Sequence, residues 1–102
     1  MVNRSYRIGY NFERRVIKHL EDQGYFVIRS GKSKFPDLVA IRRAKLDSVC
    51  PSVIIVECKV NKYLSAEEKQ KALEILEKTS IPLTVYWRDG RKLKSYVAYL
   101  SL

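Results

Sequence analysis

Apolar positions in the first quarter of the chain recur at helical spacing. These positions are Phe12, Val16, Ile17 and Leu20. Residues three and four positions apart lie on one face of an α-helix, so this spacing predicts an amphipathic helix with a single apolar stripe. We expect the helix to begin at about Tyr6 or Gly9 and to end at Gln23, because Gly24 is a favourable residue just past a helix C-terminus.

Two apolar, β-branched runs of strand length lie in the middle of the chain, at residues 35–41 and 53–60. Each run carries charge where a buried strand would not. Asp37 lies near the start of the first run, and Glu57 and Lys59 interrupt the second. Because strand side chains alternate between the two faces of a sheet, Glu57 and Lys59 share one face and Cys58 points to the other. These charged positions are therefore candidates for a functional site on a buried sheet.

Shorter patterns complete a sheet flanked by helices. Ser65, followed three residues later by Glu68, predicts a capping box at the start of a second helix that ends at about Lys78. Asp89-Gly90 predicts a turn between two strands. The remaining strands are predicted at residues 25–29, 82–88 and 96–100. The predicted order is α-β-β-β-α-β-β, which is an α/β fold with a mixed β-sheet flanked by helices.

The composition favours one folded domain with a polyanionic partner. A length of 102 residues predicts a single domain, residues 1–102. Hydrophobic residues make up 46% and charged residues 30%, a balance that is typical of a folded and not a disordered chain. The 20 Lys and Arg residues exceed the 11 Asp and Glu residues, which gives a net charge of +9. A surface this basic makes nucleic acid the leading candidate partner.

Signals for membrane insertion or secretion are not found in the sequence. No apolar run approaches the ~20 residues that a membrane-spanning helix needs, and the N-terminus lacks the apolar core of a signal peptide. We therefore expect a cytoplasmic protein without a membrane partner. Cys50 and Cys58 do not form a zinc-binding pattern.

Asp37 and Glu57 are predicted to lie side by side on adjacent strands. Two carboxylates held together repel each other unless a cation lies between them, and hard divalent cations prefer carboxylate oxygens. Lys59 beside such a site would orient or deprotonate a water molecule. The alternative is an ordinary ion pair between Glu57 and Lys59 on a solvated face. The apolar flanks of the second run, and Asp37 in the first, favour a metal-dependent hydrolytic centre.

A wider set of residues carries a resemblance to a known family. Pro36-Asp37, followed by Glu57-x-Lys59, is similar to the PD-D/E-x-K nuclease signature. The set also includes Gly9-x-x-x-Glu13-Arg14, residues 24–30, the Ser33 loop, residues 63–65 and Gln70. Together these residues resemble the archaeal Holliday junction resolvase family and its viral relatives, over about residues 6–100. The fold that this resemblance implies is the restriction-endonuclease-like core.

The resemblance also implies an activity and the residues for it. The activity is structure-specific, Mg²⁺-dependent endodeoxyribonuclease cleavage, with Mn²⁺ able to replace Mg²⁺. It would resolve four-way DNA junctions by paired, symmetric cuts made by a homodimer. The catalytic residues it implies are Glu13, Ser33, Asp37, Glu57 and Lys59. The metal ligands it implies are Glu13, Asp37, Glu57 and the backbone carbonyl of Cys58.

A second group of residues is expected to contact DNA. The group comprises Arg7, Arg14, Arg29, Ser30, Lys32, Lys34, Lys62 and Gln70. The small, polar and basic loop at residues 30–34 would let backbone N–H groups approach a phosphate closely. The same composition is compatible with a plain hairpin turn, and both interpretations stay open at this point.

Two residues in these sets have a structural alternative. Glu13 would pair with Arg14 or Lys18 on the helix surface instead of reaching the sheet. Gln70 is predicted on the core-facing stripe of the second helix, where it is either a hydrogen-bonded structural residue or part of the rim of the site.

Three other functions compete with junction resolution. A repair or restriction-type nuclease of the same fold would cut duplexes, flaps or mismatches. A non-catalytic DNA-binding module would keep the fold and lose the chemistry, although the intact set of Asp37, Glu57 and Lys59 argues against it. An RNA-processing factor would prefer RNA helices.

Overall fold

The computed structural model describes residues 4–31, 35–45 and 49–98. Two helices flank a five-stranded sheet whose strands lie in the order β1-β2-β3-β4-β5. The elements are α1 Arg4–Asp22, β1 Phe26–Arg29, β2 Leu38–Arg42, β3 Ser52–Lys59, α2 Ala66–Thr79, β4 Leu83–Asp89 and β5 Lys92–Ala98. The predicted order of elements is confirmed.

The sheet is mixed, as the sequence predicted. Strands β1, β2 and β3 pair antiparallel in succession, and β4 pairs antiparallel with β5. Strand β3 pairs with β4 in parallel. A parallel pair needs a crossover connection, and α2 supplies it. Because β3 and β4 run in the same direction, their C-terminal ends lie side by side at one edge of the sheet. Glu57 and Lys59 lie at the C-terminal end of β3.

The two helices cover opposite faces of the sheet. On one face, the predicted stripe of α1 is buried against strand residues; this core contains Phe12, Val16, Leu20, Leu38, Ala40 and Val56. On the other face, α2 and the segment before it cover a second core, which contains Ile55, Leu64, Ala72, Leu83 and Val85. Adjacent residues of β3 thus contribute to different cores, as the alternation of strand side chains requires.

Helix α1 begins earlier than the sequence indicated and ends at Asp22, one residue before the predicted end at Gln23. Its first described residue is Arg4, two residues before the predicted start at Tyr6. At its C-terminus, the carbonyl of Leu20 accepts from Tyr25 N at 3.0 Å, and Gly24 has φ +89°. Glycine adopts this left-handed conformation without steric cost, which confirms the predicted cap.

The start of α2 is the predicted capping box, but its buried face is not the predicted one. Ser65 Oγ accepts from the backbone N of Glu68 at 3.1 Å, and Glu68 Oε1 accepts from the backbone N of Ser65 at 2.9 Å. The buried residue of this helix is Ala72, whereas Gln70 is exposed. The expectation that Gln70 faces the core was therefore wrong. The stripe that faces the sheet runs through Glu68, Ala72 and Ile75, which are spaced at i, i+4 and i+7.

The final hairpin is tighter than predicted. The turn at Asp89-Gly90 is confirmed, with Gly90 at φ +61°. Strand β5 begins at Lys92, four residues before the predicted start, so that Lys94 belongs to the strand and pairs with Asp89 at 3.0 Å. Neither helix of the described ranges is long and apolar enough to cross a membrane.

Candidate active site

Asp37 joins the start of β2 to the end of β3. Its Oδ2 accepts from the backbone N of Cys58 at 2.8 Å, and its own backbone N donates to Glu57 Oε1 at 3.2 Å. The antiparallel register pairs Leu38 with Val56, which brings the residue before β2 next to the last residues of β3. Residues that are 20 positions apart in the sequence are thus held together by both backbone and side-chain atoms.

Asp37 and Glu57 form a pair of carboxyl groups in a desolvated position. Glu57 is 7% exposed. Burial, followed by the negative charge of Asp37 and a hydrogen bond between the two carboxyl groups, raises the pKa of Glu57 from 4.5 to about 9. Burial also raises the pKa of Asp37. The pair therefore resists carrying two negative charges at neutral pH unless a cation offsets them.

Lys59 is held by a carboxylate on the second helix. Its Nζ lies 2.8 Å and 2.7 Å from the two carboxylate oxygens of Glu68. Both side chains are partly buried, at 23% and 20% exposure. The alternative of a same-face ion pair with Glu57 is wrong for the described structure, because the carboxylate that binds Lys59 is on α2.

Glu68 is a site residue that the sequence analysis did not assign. Although burial acts in the opposite direction, the hydrogen bond from Lys59 lowers the pKa of Glu68, which keeps it ionised. Its negative charge also contributes to the raised pKa of Glu57. The one sequence signal was its position in the capping box, which accounts for a helix start and says nothing about a contact with Lys59, nine residues earlier.

Glu13 lies on the opposite face of the sheet from Glu57. Its Oε1 accepts from Arg29 Nε at 2.8 Å, and its side chain is 19% exposed. The alternatives of pairing with Arg14 or Lys18 are wrong, because Glu13 pairs with β1, and Lys18 pairs with Asp22. Glu13 therefore reaches the sheet, as the sequence analysis expected.

Two cavities meet at Asp37. The first, of about 490 Å³, lies on the α1 side and is lined by residues that include Glu13, Arg29, Asp37 and Cys58. The second, of about 410 Å³, lies on the α2 side; Asp37, Glu57 and Glu68 are among its lining residues. The acidic residues are thus arranged along one edge of the sheet, with Asp37 open to both sides.

The donor set along this edge suits a hard divalent cation. Asp37 and Glu57 offer carboxylate oxygens, the ligand type that Mg²⁺ prefers, and their mutual repulsion is the kind that a bound cation removes. Within residues 4–31, 35–45 and 49–98, however, no three His, Cys, Asp or Glu side chains are grouped closely enough to form a ready-made metal cage. Two carboxylates, with the rest of the coordination from water or backbone, is the arrangement common for Mg²⁺.

The described residues that are expected to contact DNA lie on both sides of the sheet. Arg7 and Arg14 are exposed on α1, and the backbone N of Ser30 donates to the carbonyl of Asp37 at 2.9 Å. The Lys62 amine lies 5.4 Å from the centre of the Trp87 ring, which places it on the α2 side. Lys32, Ser33 and Lys34 lie outside the described residues.

The carboxyl pair on adjacent strands, with Lys59 on the same strand as Glu57, resembles the arrangement of PD-D/E-x-K nucleases. A family model described as archaeal Holliday junction resolvase (Hjc) matches residues 4–96. The chain belongs to the archaeal Holliday junction resolvase family.

Two known proteins show the extent of the similarity. The Methanocaldococcus jannaschii protein named "Crossover junction endodeoxyribonuclease Hjc" is 37% identical over 76 residues, which is 71% of this chain and 52% of that protein. The chain therefore spans about half the length of this curated relative. The solved structure of Hjc from Archaeoglobus fulgidus, a Holliday junction resolvase, matches with a TM-score of 0.64 and 22% identity, covering 87% of this chain and 71% of that one. The α/β fold is the one seen in that structure.

Proposed function

We propose that this chain is a metal-dependent endodeoxyribonuclease that resolves four-way DNA junctions by paired, symmetric phosphodiester cleavage. The observation that carries the proposal is the desolvated Asp37–Glu57 pair, with Lys59 anchored beside it. Membership of the archaeal Holliday junction resolvase family, over residues 4–96, supports the choice of substrate.

Asp37 and Glu57 would hold the divalent cation, with the backbone carbonyl of Cys58 as a further ligand. Glu13 lines the α1-side cavity with Asp37 and Cys58, so as a ligand it would approach the ion from the opposite face to Glu57 and after release from Arg29. We propose Mg²⁺ as the ion, with Mn²⁺ as a working substitute. When bound, such an ion lowers the pKa of a coordinated water and offsets the charge that grows on the phosphate. The backbone N of Cys58 fixes one oxygen of Asp37, which leaves the other oxygen of that carboxylate for the ion.

Lys59 would orient the attacking water or stabilise the pentacoordinate phosphate. Glu68 holds the Lys59 ammonium through both of its oxygens, so the amine has a fixed position before substrate arrives. We propose that Ser33 contacts the scissile phosphate from the loop that precedes Asp37.

DNA binding would depend on basic side chains around the site. We propose phosphate contacts by the group Arg7, Arg14, Arg29, Ser30, Lys32, Lys34, Lys62 and Gln70. A net charge of +9 supports this, and affinity that rests on such contacts falls steeply as salt concentration rises. Gln70 would act from an exposed position on α2, since it does not face the core.

The oligomeric state and location follow from the proposed reaction. Two strands of a junction must be cut symmetrically, and a homodimer with two-fold symmetry supplies two matched sites. We propose that residues 1–102 act as one nuclease domain in each subunit. Because the substrate is DNA, we also propose a cytoplasmic location.

The test is cleavage of a labelled immobile four-way junction, with a linear duplex of equal length as the control, in Mg²⁺ and in EDTA. We expect paired, symmetric nicks near the branch point in Mg²⁺, and none in EDTA or with Asp37→Asn. Equal cutting of the duplex would identify another nuclease of this fold. Tight binding without cutting in any divalent cation would identify a DNA-binding module, and preference for an RNA helix would identify an RNA-processing factor.

A further inference from the structure

Two tyrosines form an exposed aromatic stack near the start of α1. The rings of Tyr6 and Tyr10 are 6.4 Å apart between centroids, and their planes differ by 7°. The two residues are spaced at i and i+4, so they lie on the same face of the helix. Their exposed fractions are 46% and 38%. We call this pair the tyrosine shelf.

The tyrosine shelf lies at the wall of the cavity that contains the acidic edge. Tyr6 and Tyr10 line the same 490 Å³ cavity as Glu13 and Asp37. A group that stacks on the shelf therefore shares a cavity with Glu13 and Asp37, two of the carboxylates assigned to the metal.

Two arginine guanidinium groups lie over the second ring of the shelf, so a base that stacks on this ring takes the place of one of them. The guanidinium carbons of Arg14 and Arg29 lie 5.9 Å and 5.8 Å from the centre of the Tyr10 ring. Aromatic rings beside arginines are the combination that binds a nucleotide, because the ring takes the base and the cations take the neighbouring phosphates. An aromatic cluster that served only the core would be buried, and this one is not.

The open space around Gly9 is consistent with a ligand that binds at the tyrosine shelf. Gly9 lies between the two tyrosines in sequence, inside α1, and lines the same cavity. Glycine inside a helix destabilises it by roughly 0.5–1 kcal/mol relative to alanine. A Cβ at this position would meet no heavy atom within 4 Å. The open space beside the helix backbone at Gly9 would admit a ligand that stacks on the shelf.

We propose that the tyrosine shelf stacks against a nucleobase that is exposed at the branch point of the DNA, beside the phosphate that is cut. This inference rests on the proposed function and adds a specificity determinant to it. In continuous duplex each base face is covered by its neighbours, so the shelf has nothing to stack on. At a branch point whose arms are not stacked on one another, base-pair stacking is interrupted and a base face is available. The shelf would thus favour branched over linear DNA.

The test compares two substitutions that differ in the aromatic face. Tyr10→Phe keeps the ring and loses the hydroxyl, whereas Tyr10→Leu loses the ring and keeps a large apolar side chain with good helix propensity. Phe26→Leu is the matched control, because it removes an aromatic ring that is 70% exposed and does not line the cavity. Thermal denaturation of each variant checks that the fold is retained.

Binding is measured in EDTA, so that no cleavage occurs, on a four-way junction and on a linear duplex. A 2-aminopurine base, whose fluorescence is quenched by stacking, is placed at the branch point or within an arm. We expect Tyr10→Leu to bind the junction about tenfold more weakly, at the lower end of what base stacking on an aromatic side chain provides, and to bind the duplex as the wild type does. We expect Tyr10→Phe and Phe26→Leu to match the wild type, and only Tyr10→Leu to change the branch-point fluorescence.

Equal junction binding by Tyr10→Leu and Tyr10→Phe, with the same branch-point fluorescence, would overturn the shelf and leave the proposed function intact. If the wild type does not distinguish junction from duplex, the proposed function fails instead. The shelf is then judged on duplex containing a single-stranded gap, which exposes base faces without a branch. No difference between Tyr10→Leu and Tyr10→Phe on that substrate would overturn it independently.

Discussion

The two faces of the sheet contribute to the site in different ways. On the α2 side, Glu57 is almost fully buried, and Lys59 is bound by both oxygens of Glu68. On the α1 side, the tyrosine shelf is exposed, and Arg29, although paired with Glu13, has half of its side chain in solvent. Buried side chains whose hydrogen bonds are all made hold fixed positions, which suits bond cleavage. Exposed rings and cations suit contact with a large ligand. The difference indicates that the buried, fixed part of the site lies on the α2 side and its exposed part on the α1 side, with Asp37 open to both.

The largest effect should come from the acidic edge itself. We expect Asp37→Asn, Glu57→Gln or Lys59→Ala to abolish junction cleavage and to leave junction binding largely intact, because binding rests on basic side chains elsewhere. Gel-shift titration in EDTA and cleavage in Mg²⁺ measure the two properties separately. Cleavage at the wild-type rate by Glu57→Gln would sink the metal assignment, and a parallel loss of binding would show that the buried part of the site also binds the DNA.

A smaller loss should follow from releasing Lys59. Glu68→Gln keeps the capping box, since glutamine serves at this position, and removes the charge that holds the ammonium. We expect about 10- to 100-fold slower single-turnover cleavage, the range found when an outer-shell partner is lost, with unchanged junction affinity. Glu74→Gln removes an exposed charge from the same helix and is the control. If both variants cleave equally fast, Glu68 only caps the helix.

The buried carboxyl pair should also change the pH dependence of stability. The pKa of Glu57 is about 9 in the folded chain against an ordinary 4.5, so between these values the folded chain holds a proton that the unfolded chain releases. Stability of the metal-free protein should therefore fall as pH rises through this window. We expect Glu57→Gln to raise the melting temperature at pH 8 in EDTA and to flatten its change between pH 5 and 8.

Thermal denaturation across this pH range measures the effect, and Glu74→Gln is again the control. A wild-type protein that becomes more stable between pH 5 and 8 in EDTA would show that the pair does not resist ionisation. Addition of Mg²⁺ at pH 8 should recover stability in the wild type more than in Glu57→Gln, because a ligand that binds only the folded state stabilises it.

The smallest effect is expected at Gly9, and it should have opposite signs for stability and binding. Gly9→Ala should stabilise the free protein by about 0.5–1 kcal/mol, because alanine is the better helix former and its Cβ meets open space. The same methyl group would enter the cavity beside the tyrosine shelf and weaken junction binding. Urea denaturation and EDTA binding titrations give the two signs. Improved binding together with improved stability would argue that no ligand approaches here.

Sequence spacing predicted the helices and strands well, but it did not predict the contacts between side chains that are far apart in the sequence. The apolar stripe of Phe12, Val16 and Leu20 faces the core as its spacing indicated. The apolar pattern of α2 is weaker than that of α1. The prediction that Gln70 faces the core assigned the wrong face of this helix to the sheet, because the buried face contains Ala72. This error is the reason that Glu68 was not assigned to the site. Gln70 and Glu68 lie on opposite sides of the helix, so the orientation that exposes Gln70 directs Glu68 toward Lys59.

The pairing of charges across the fold could not be read from spacing. Glu13 binds Arg29 sixteen residues away, and not a neighbour on its own helix. The sequence does place Asp37 and Glu57 on adjacent strands, and the hydrogen bond from Asp37 N to Glu57 Oε1 confirms that they lie together. The face of the sheet toward which each carboxyl group points depends on where β2 begins and on how both helices pack. The local sequence pattern does not determine either of these features.

The capping box at Ser65 and Glu68 makes the position of Lys59 depend on the folding of α2. Glu68 adopts its position only when the first turn of α2 exists, since its carboxylate closes that turn and holds Lys59 at the same time. A chain whose α2 has not formed carries Lys59 without its anchor. Under the proposed function, such a chain would still contact DNA through its arginines but would lack the positioned Lys59 that cleavage needs.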